Sequence, residues 1–169
     1  MTAFHTRACV ALIGGLAFAQ EPPKFEDYPV KEIFIGKPAQ PRLVHPMERH
    51  YRTAIRTAVR DAKGPDFAGH YIVAFWGCGS DCVQYAFVDA KTGVVYQPPI
   101  QGKHYEYFDA AFLTYKATSR LVVSEGNCDF LHGNICDRDY FVWENGRFRH
   151  LRHIARFGPR LAGLENAGP

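Results

Sequence analysis

The chain has 169 residues, with 20 Lys or Arg against 17 Asp or Glu and a formal net charge of +3. The two signs are interspersed, which points away from a nucleic-acid-binding surface. No apolar run reaches the roughly 20 residues that a membrane-spanning helix needs, and the length suits one domain.

Residues 1–19 open with one fixed positive charge at Arg7, continue with an uncharged run from Ala8 to Phe18, and end in Ala17-Phe18-Ala19 before Gln20. A charged start, an apolar middle and a small-residue end are the marks of a secretory signal. The expectation is cleavage between Ala19 and Gln20 and a mature protein that is exported, periplasmic or secreted. Residues 20–45 then read as a leader and a first strand. Glu21 to Tyr28 is polar and proline-rich, Val30 to Ile35 alternates in the manner of a strand, and Lys37 to Pro41 is a linker.

The main domain is expected over 46–156. Met47, Tyr51, Ala54, Ile55, Ala58, Val59 and Ala62 form one apolar stripe at helical period, predicting a helix over 46–62. Pro46 suits its first position, Glu48 complements its positive end, and Gly64-Pro65 stops it. The opposite face carries Arg49, Arg52, Arg56, Arg60 and Lys63, read first as solvated cover and second as a docking stripe for an anionic partner.

From 70 to 153 the pattern is a meander of short strands. His70–Trp76 and Val83–Val88 are apolar on both faces, as central strands are. Asp89-Ala-Lys-Thr-Gly93 reads as a hairpin loop leading to Val94–Tyr96. Phe112–Tyr115 with Arg120–Ser124 suggests another pair, and Asn145-Gly146 predicts a two-residue hairpin between Tyr140–Trp143 and Phe148–Leu151. Residues 157–169 read as a flexible tail. The fold class is α+β: an antiparallel β-meander sheet with one amphipathic helix packed on it, stapled by disulfides.

Five cysteines are an awkward number for an exported chain. Loss of Cys9 with the signal leaves Cys78, Cys82, Cys128 and Cys136, and an even count in an oxidising compartment reads as a disulfide framework. Three connectivities are open. The local one, Cys78–Cys82 with Cys128–Cys136, is preferred because each pair lies in its own Gly-containing loop. Bridged in this way, Cys128 to Cys136 reads first as a stapled connection with a solvated His132, and second as a rigid protrusion presenting Phe130, Leu131, His132 and Asn134 to a partner. The alternative is a zinc or thiol-redox site drawn from Cys78, Cys82, Cys128, His132 and Cys136.

Phe75-Trp-Gly-Cys-Gly-Ser-Asp-Cys82 followed by Val88-Asp-Ala-Lys-Thr-Gly93 resembles a group of small exported bacterial proteins with the same turn and hairpin, over roughly residues 64–149. More distantly, the chain resembles periplasmic inhibitors of invertebrate-type lysozyme. That resemblance implies a β-rich, disulfide-bearing, often dimeric binding protein. Ala68-Gly-His-Tyr71 stands in place of the Ser-Gly-x-Tyr loop found in several inhibitor families. Some vertebrate-type inhibitors insert a histidine from a disulfide-closed loop into the catalytic cleft, which implies an analogous role for His132. A histidine there would hydrogen-bond the paired carboxylates of a glycosidase.

No nucleophile–base set, phosphate loop or cofactor motif stands out. His70 reads as a hydrogen-bonded core residue, and His150 and His153 belong to a basic edge strand. The expectation is a non-catalytic module without cofactor, binding a protein partner such as a lysozyme-like hydrolase, with a homodimer left open. A structural, envelope-associated module is the second reading.

Overall fold

The computed structural model describes residues 21–79, 82–98, 112–129 and 135–159. The helical region starts where the proline and the acidic residue place it. Helix α1 spans Pro46–His50. The buried Glu48 carboxylate accepts from the backbone N–H of Val44 at 2.7 Å and of His45 at 2.8 Å, and from the Gln97 amide at 3.2 Å. A cap of this kind contributes about 1 kcal/mol. The single helix expected over 46–62 is interrupted at Tyr51 (φ −96°, ψ 23°), and α2 spans Arg52–Asp61. At this break the Tyr51 ring stacks on Trp76 at 4.8 Å.

Helix α2 buries Ile55 and Val59 against a sheet whose facing residues include Ile72, Ala74, Ala86 and Val88. The alanines keep the contact close. Full burial of Ile55, which is 0% exposed, is worth about 2 kcal/mol.

Two antiparallel sheets take the place of the expected single meander. The first holds β1 (Tyr71–Gly79), β2 (Cys82–Asp89) and β3 (Val95–Tyr96) in that order. The second holds β4 (Phe112–Tyr115), β5 (Leu121–Asp129), β6 (Ile135–Glu144) and β7 (Arg147–Pro159), also in order. The first sheet lies between α2 and the second sheet. Strand alternation makes this layering work. Ile72 and Ala74 face the helix, while Tyr71 and Val73 face a shared core with Phe87, Val122 and Trp143. β1 is therefore covered on both faces over its first half, as its apolar run suggests. By hydrogen bonding it is nonetheless an outer strand, and β2 is the central one.

The turns follow local chemistry. Asn145 (φ 50°) and Gly146 (φ 75°) both occupy positive φ, the requirement of a type I′ hairpin. At Gly93 (φ 77°) a Cβ would lie 2.1 Å from the Gln40 carbonyl, so glycine is needed twice over. Asp89 fixes the same loop by accepting from Lys91 N–H at 2.8 Å and from the Thr92 hydroxyl at 2.9 Å.

The N-terminal segment departs most from expectation. Residues 30–35 form no strand. Their backbone pairing is limited to single hydrogen bonds such as Phe34 N–H to Gly69 O at 2.7 Å. Nor is 21–28 a loose leader. Phe25–Asp27 forms one 3-10 turn, and Phe25 and Tyr28 pack on Leu121, Val123 and Tyr140 on the outer face of the second sheet. Ser119 ties this turn down by donating its hydroxyl to Phe25 O at 2.8 Å. Farther along, Phe34 and Leu43 cover the helix-side core. The domain thus includes 21–45 as a strap across both sheets. At the other end, β7 runs through 157–159, which were expected to belong to the tail. Ala19 and Gln20 lie outside the described residues.

Candidate functional site

The two sheets run from one common end to another. The Tyr71 ring, at the start of β1, meets the Trp143 ring near the end of β6 at 5.1 Å. Midway, Leu113 N–H donates to the Tyr85 hydroxyl at 3.4 Å. From that level β1 continues to Cys78 while β6 runs back to Cys136. The β1–β2 turn and the β5–β6 connection therefore lie at the same end of the molecule.

Both connections carry cystine. Cys128 is bonded to Cys136, eight residues on, which closes β5 onto β6. Cys78 is likewise disulfide-bonded, and its neighbour Gly79 pairs with Cys82 across the hairpin. The Cys128 and Cys136 sulfurs are thus in a bond to each other and are not presented as thiolates. Among the described residues, no group of three or more His, Cys, Asp or Glu is arranged to hold a metal. Phe130, Leu131, His132 and Asn134 lie outside the described residues.

In β1 burial falls toward this end, whereas Cys136, Arg138 and Glu125 of the second sheet stay buried. In β1, Tyr71 to Ala74 are buried, but Phe75 is 57% exposed. Along β6, burial is continuous from Tyr140 to Trp143 and alternates from Ile135 to Asp139. Next to the cystine, Arg138 and Glu125 form an ion pair in which both side chains are about as buried as the aliphatic core. They are cross-strand partners, Glu125 on β5 and Arg138 on β6. Breaking such a pair from one side leaves a buried charge, which costs about 3–5 kcal/mol. The base of the cystine-bearing connection is therefore held covalently and ionically.

A third group sits on the opposite face of β6. The Asp139 carboxylate lies 2.8 Å from His150 Nε2 and 3.1 Å from His153 Nδ1. Two histidines three apart on a regular strand point to opposite faces. β7 has a bulge here, since His150 pairs with Phe141 and His153 with Asp139, and the extra residue brings both rings to one carboxylate. Spacing alone does not reveal this cluster. A bulge signal within the basic stretch would have been needed. Ser124, the cross-strand partner of Asp139, is fully buried and so is closed to a substrate.

β7 is an outer strand of its sheet, and Arg147, Arg149, His150 and His153 are exposed, as expected of a charged edge. His70 lies just before β1, half-buried, with its ring 4.2 Å from that of Tyr71. Burial pushes its pKa down.

Compared with known proteins, the chain matches no family model, no curated protein and no solved structure.

Proposed function

We infer that this chain is an exported, non-catalytic binding protein that presents the cystine-closed β5–β6 connection to a protein partner. The observation that carries this reading is the Cys128–Cys136 bond, which pins both ends of a segment with Phe130, Leu131, His132 and Asn134. A segment closed by a bond loses less conformational entropy on docking than an open one. The adjoining Glu125–Arg138 pair supports it with a fixed base. At this end Phe75 on β1 is 57% exposed, which gives a partner accessible surface.

The partner class favoured by the sequence resemblance is a lysozyme-like hydrolase. There His132 would meet the catalytic carboxylates as a hydrogen-bond donor. The test is titration of invertebrate-type, chicken-type and goose-type lysozyme activity with the purified protein. Stoichiometric inhibition of one class is the expected outcome. Full activity of all three at a large molar excess would overturn the hydrolase as partner.

A further inference from the structure

The helix face turned away from the cystine-bearing connection has a feature that the binding reading does not use. Arg52, Arg56 and Arg60 follow one another at intervals of four along α2, and Thr53 and Thr57 do the same beside them. Residues four apart share a helix face. The N-terminal strap passes alongside this face and adds Lys37. Between strap and helix lies a cleft of about 490 Å³, lined by these six side chains. Val59 and Pro38 supply apolar lining.

The charge in the cleft is largely uncompensated. Arg60 is paired with Asp61 at 2.7 Å. Arg52 donates to the Arg49 carbonyl, a neutral acceptor, at 3.3 Å. Arg56 and Lys37 are exposed and make no ion pair with any described residue. Among the described residues, no carboxylate lines the cleft. Solvated basic cover on a helix needs no concavity, whereas this row faces a second segment across a cleft in the size range of small-ligand sites.

We propose that the cleft between α2 and the 37–40 segment binds an anion bearing clustered phosphate groups. The donors decide the chemistry. Two guanidinium forks clear of any described carboxylate, a third shared with Asp61, an ammonium and two hydroxyls exceed what the two oxygens of a carboxylate can accept. A phosphate offers three terminal oxygens and a charge near −2, and guanidinium matches it bidentately. Such groups are carried both by soluble polyphosphates and by phospholipid headgroups.

The experiment is calorimetric titration of the full chain with inorganic tripolyphosphate, with citrate as a carboxylate of comparable charge. Saturable tripolyphosphate binding is expected, with citrate much weaker. Arg56→Gln should weaken binding about tenfold, the loss of one charge-assisted hydrogen bond. Lys37→Gln should weaken it less, and Arg147→Gln, an exposed change on the other sheet, not at all. Both cleft side chains are exposed, so unchanged thermal melts are expected and separate binding from folding. Co-flotation with phosphatidylcholine vesicles containing phosphatidylglycerol, lost in Arg56→Gln, assigns the source to a lipid headgroup. Its absence alongside tripolyphosphate binding assigns it to a soluble phosphate. No binding of tripolyphosphate, equal binding of citrate, or unchanged binding by Arg56→Gln overturns the proposal.

Discussion

The two ends of this sandwich are closed by different physics. At one end, Tyr71, Tyr96, Trp143 and Phe148 pack ring to ring at 4.7–5.9 Å, with Phe67 and Phe87 beneath them. At the other, the strands run on past the aromatic core, and the Cys128–Cys136 bond and the buried Glu125–Arg138 pair hold β5 to β6. Aromatic packing needs both sheets and excludes solvent, so it cannot also serve as a contact surface. A disulfide constrains the chain while leaving its surface open. One end is thus closed by ring packing across both sheets, and the other is held by a bond and a buried ion pair within one sheet.

Substitutions can break this division. Trp143→Ala removes a ring that touches Tyr71, Tyr96 and Phe148, and should cost about 3–5 kcal/mol in denaturant unfolding. A smaller loss than that from opening the Cys128–Cys136 bond would contradict the contrast.

Asp66 sharpens it further, because it is the carboxylate set into the aromatic end. It accepts from Val73 N–H at 2.9 Å, and burial, the larger influence, raises its pKa from 3.8 to about 6. A raised carboxyl pKa means that the folded state holds the proton more tightly than the unfolded state. Its contribution is neutral below the unfolded value of 3.8 and becomes increasingly destabilising as pH rises through about 6. Asp66→Asn should therefore gain on the native protein between pH 4 and pH 7, by roughly 3 kcal/mol at most. Parallel stability profiles for the two proteins would refute the assignment.

The cystine end should respond more weakly and differently. Replacing Cys128 and Cys136 with serine opens a short loop, for which the chain-entropy account gives about 2–3 kcal/mol. Hydrogen exchange should then rise in 126–129 and 135–138 while staying slow in 121–124 and 140–143. Uniform loss of protection would show that the two ends are not separable. Phe75→Ala, on a ring already largely exposed, should cost less than about 1 kcal/mol.

Much of this was legible in the sequence, for local reasons. Ile55 and Val59 sit where the helical period places them, and Asn145-Gly146 adopts the two positive φ values its chemistry favours. Cys128–Cys136 is the local pairing preferred from spacing. What escaped is non-local. Val30–Ile35 alternates like a strand, yet it meets isolated carbonyls and never a ladder, so it straps the sheets without joining them. Nothing in the sequence signals that β3 and β4 belong to different sheets. The Glu125–Arg138 pair looks like ordinary strand polarity until the register sets the two opposite each other. Likewise, His150 and His153 share Asp139 only because β7 bulges. The cleft along α2 needs Lys37, which the sequence places nine residues before α1 begins.

The cystine-closed connection is proposed to bind a protein partner. That proposal is tested most directly by titrating lysozyme-class hydrolases with the native protein and with His132→Ala, matched for thermal stability. The account predicts inhibition of one class by the native protein, weakened about tenfold or more in His132→Ala, as expected when a buried hydrogen bond to a charged group is lost. Equal inhibition by both proteins, or none by either, would contradict it.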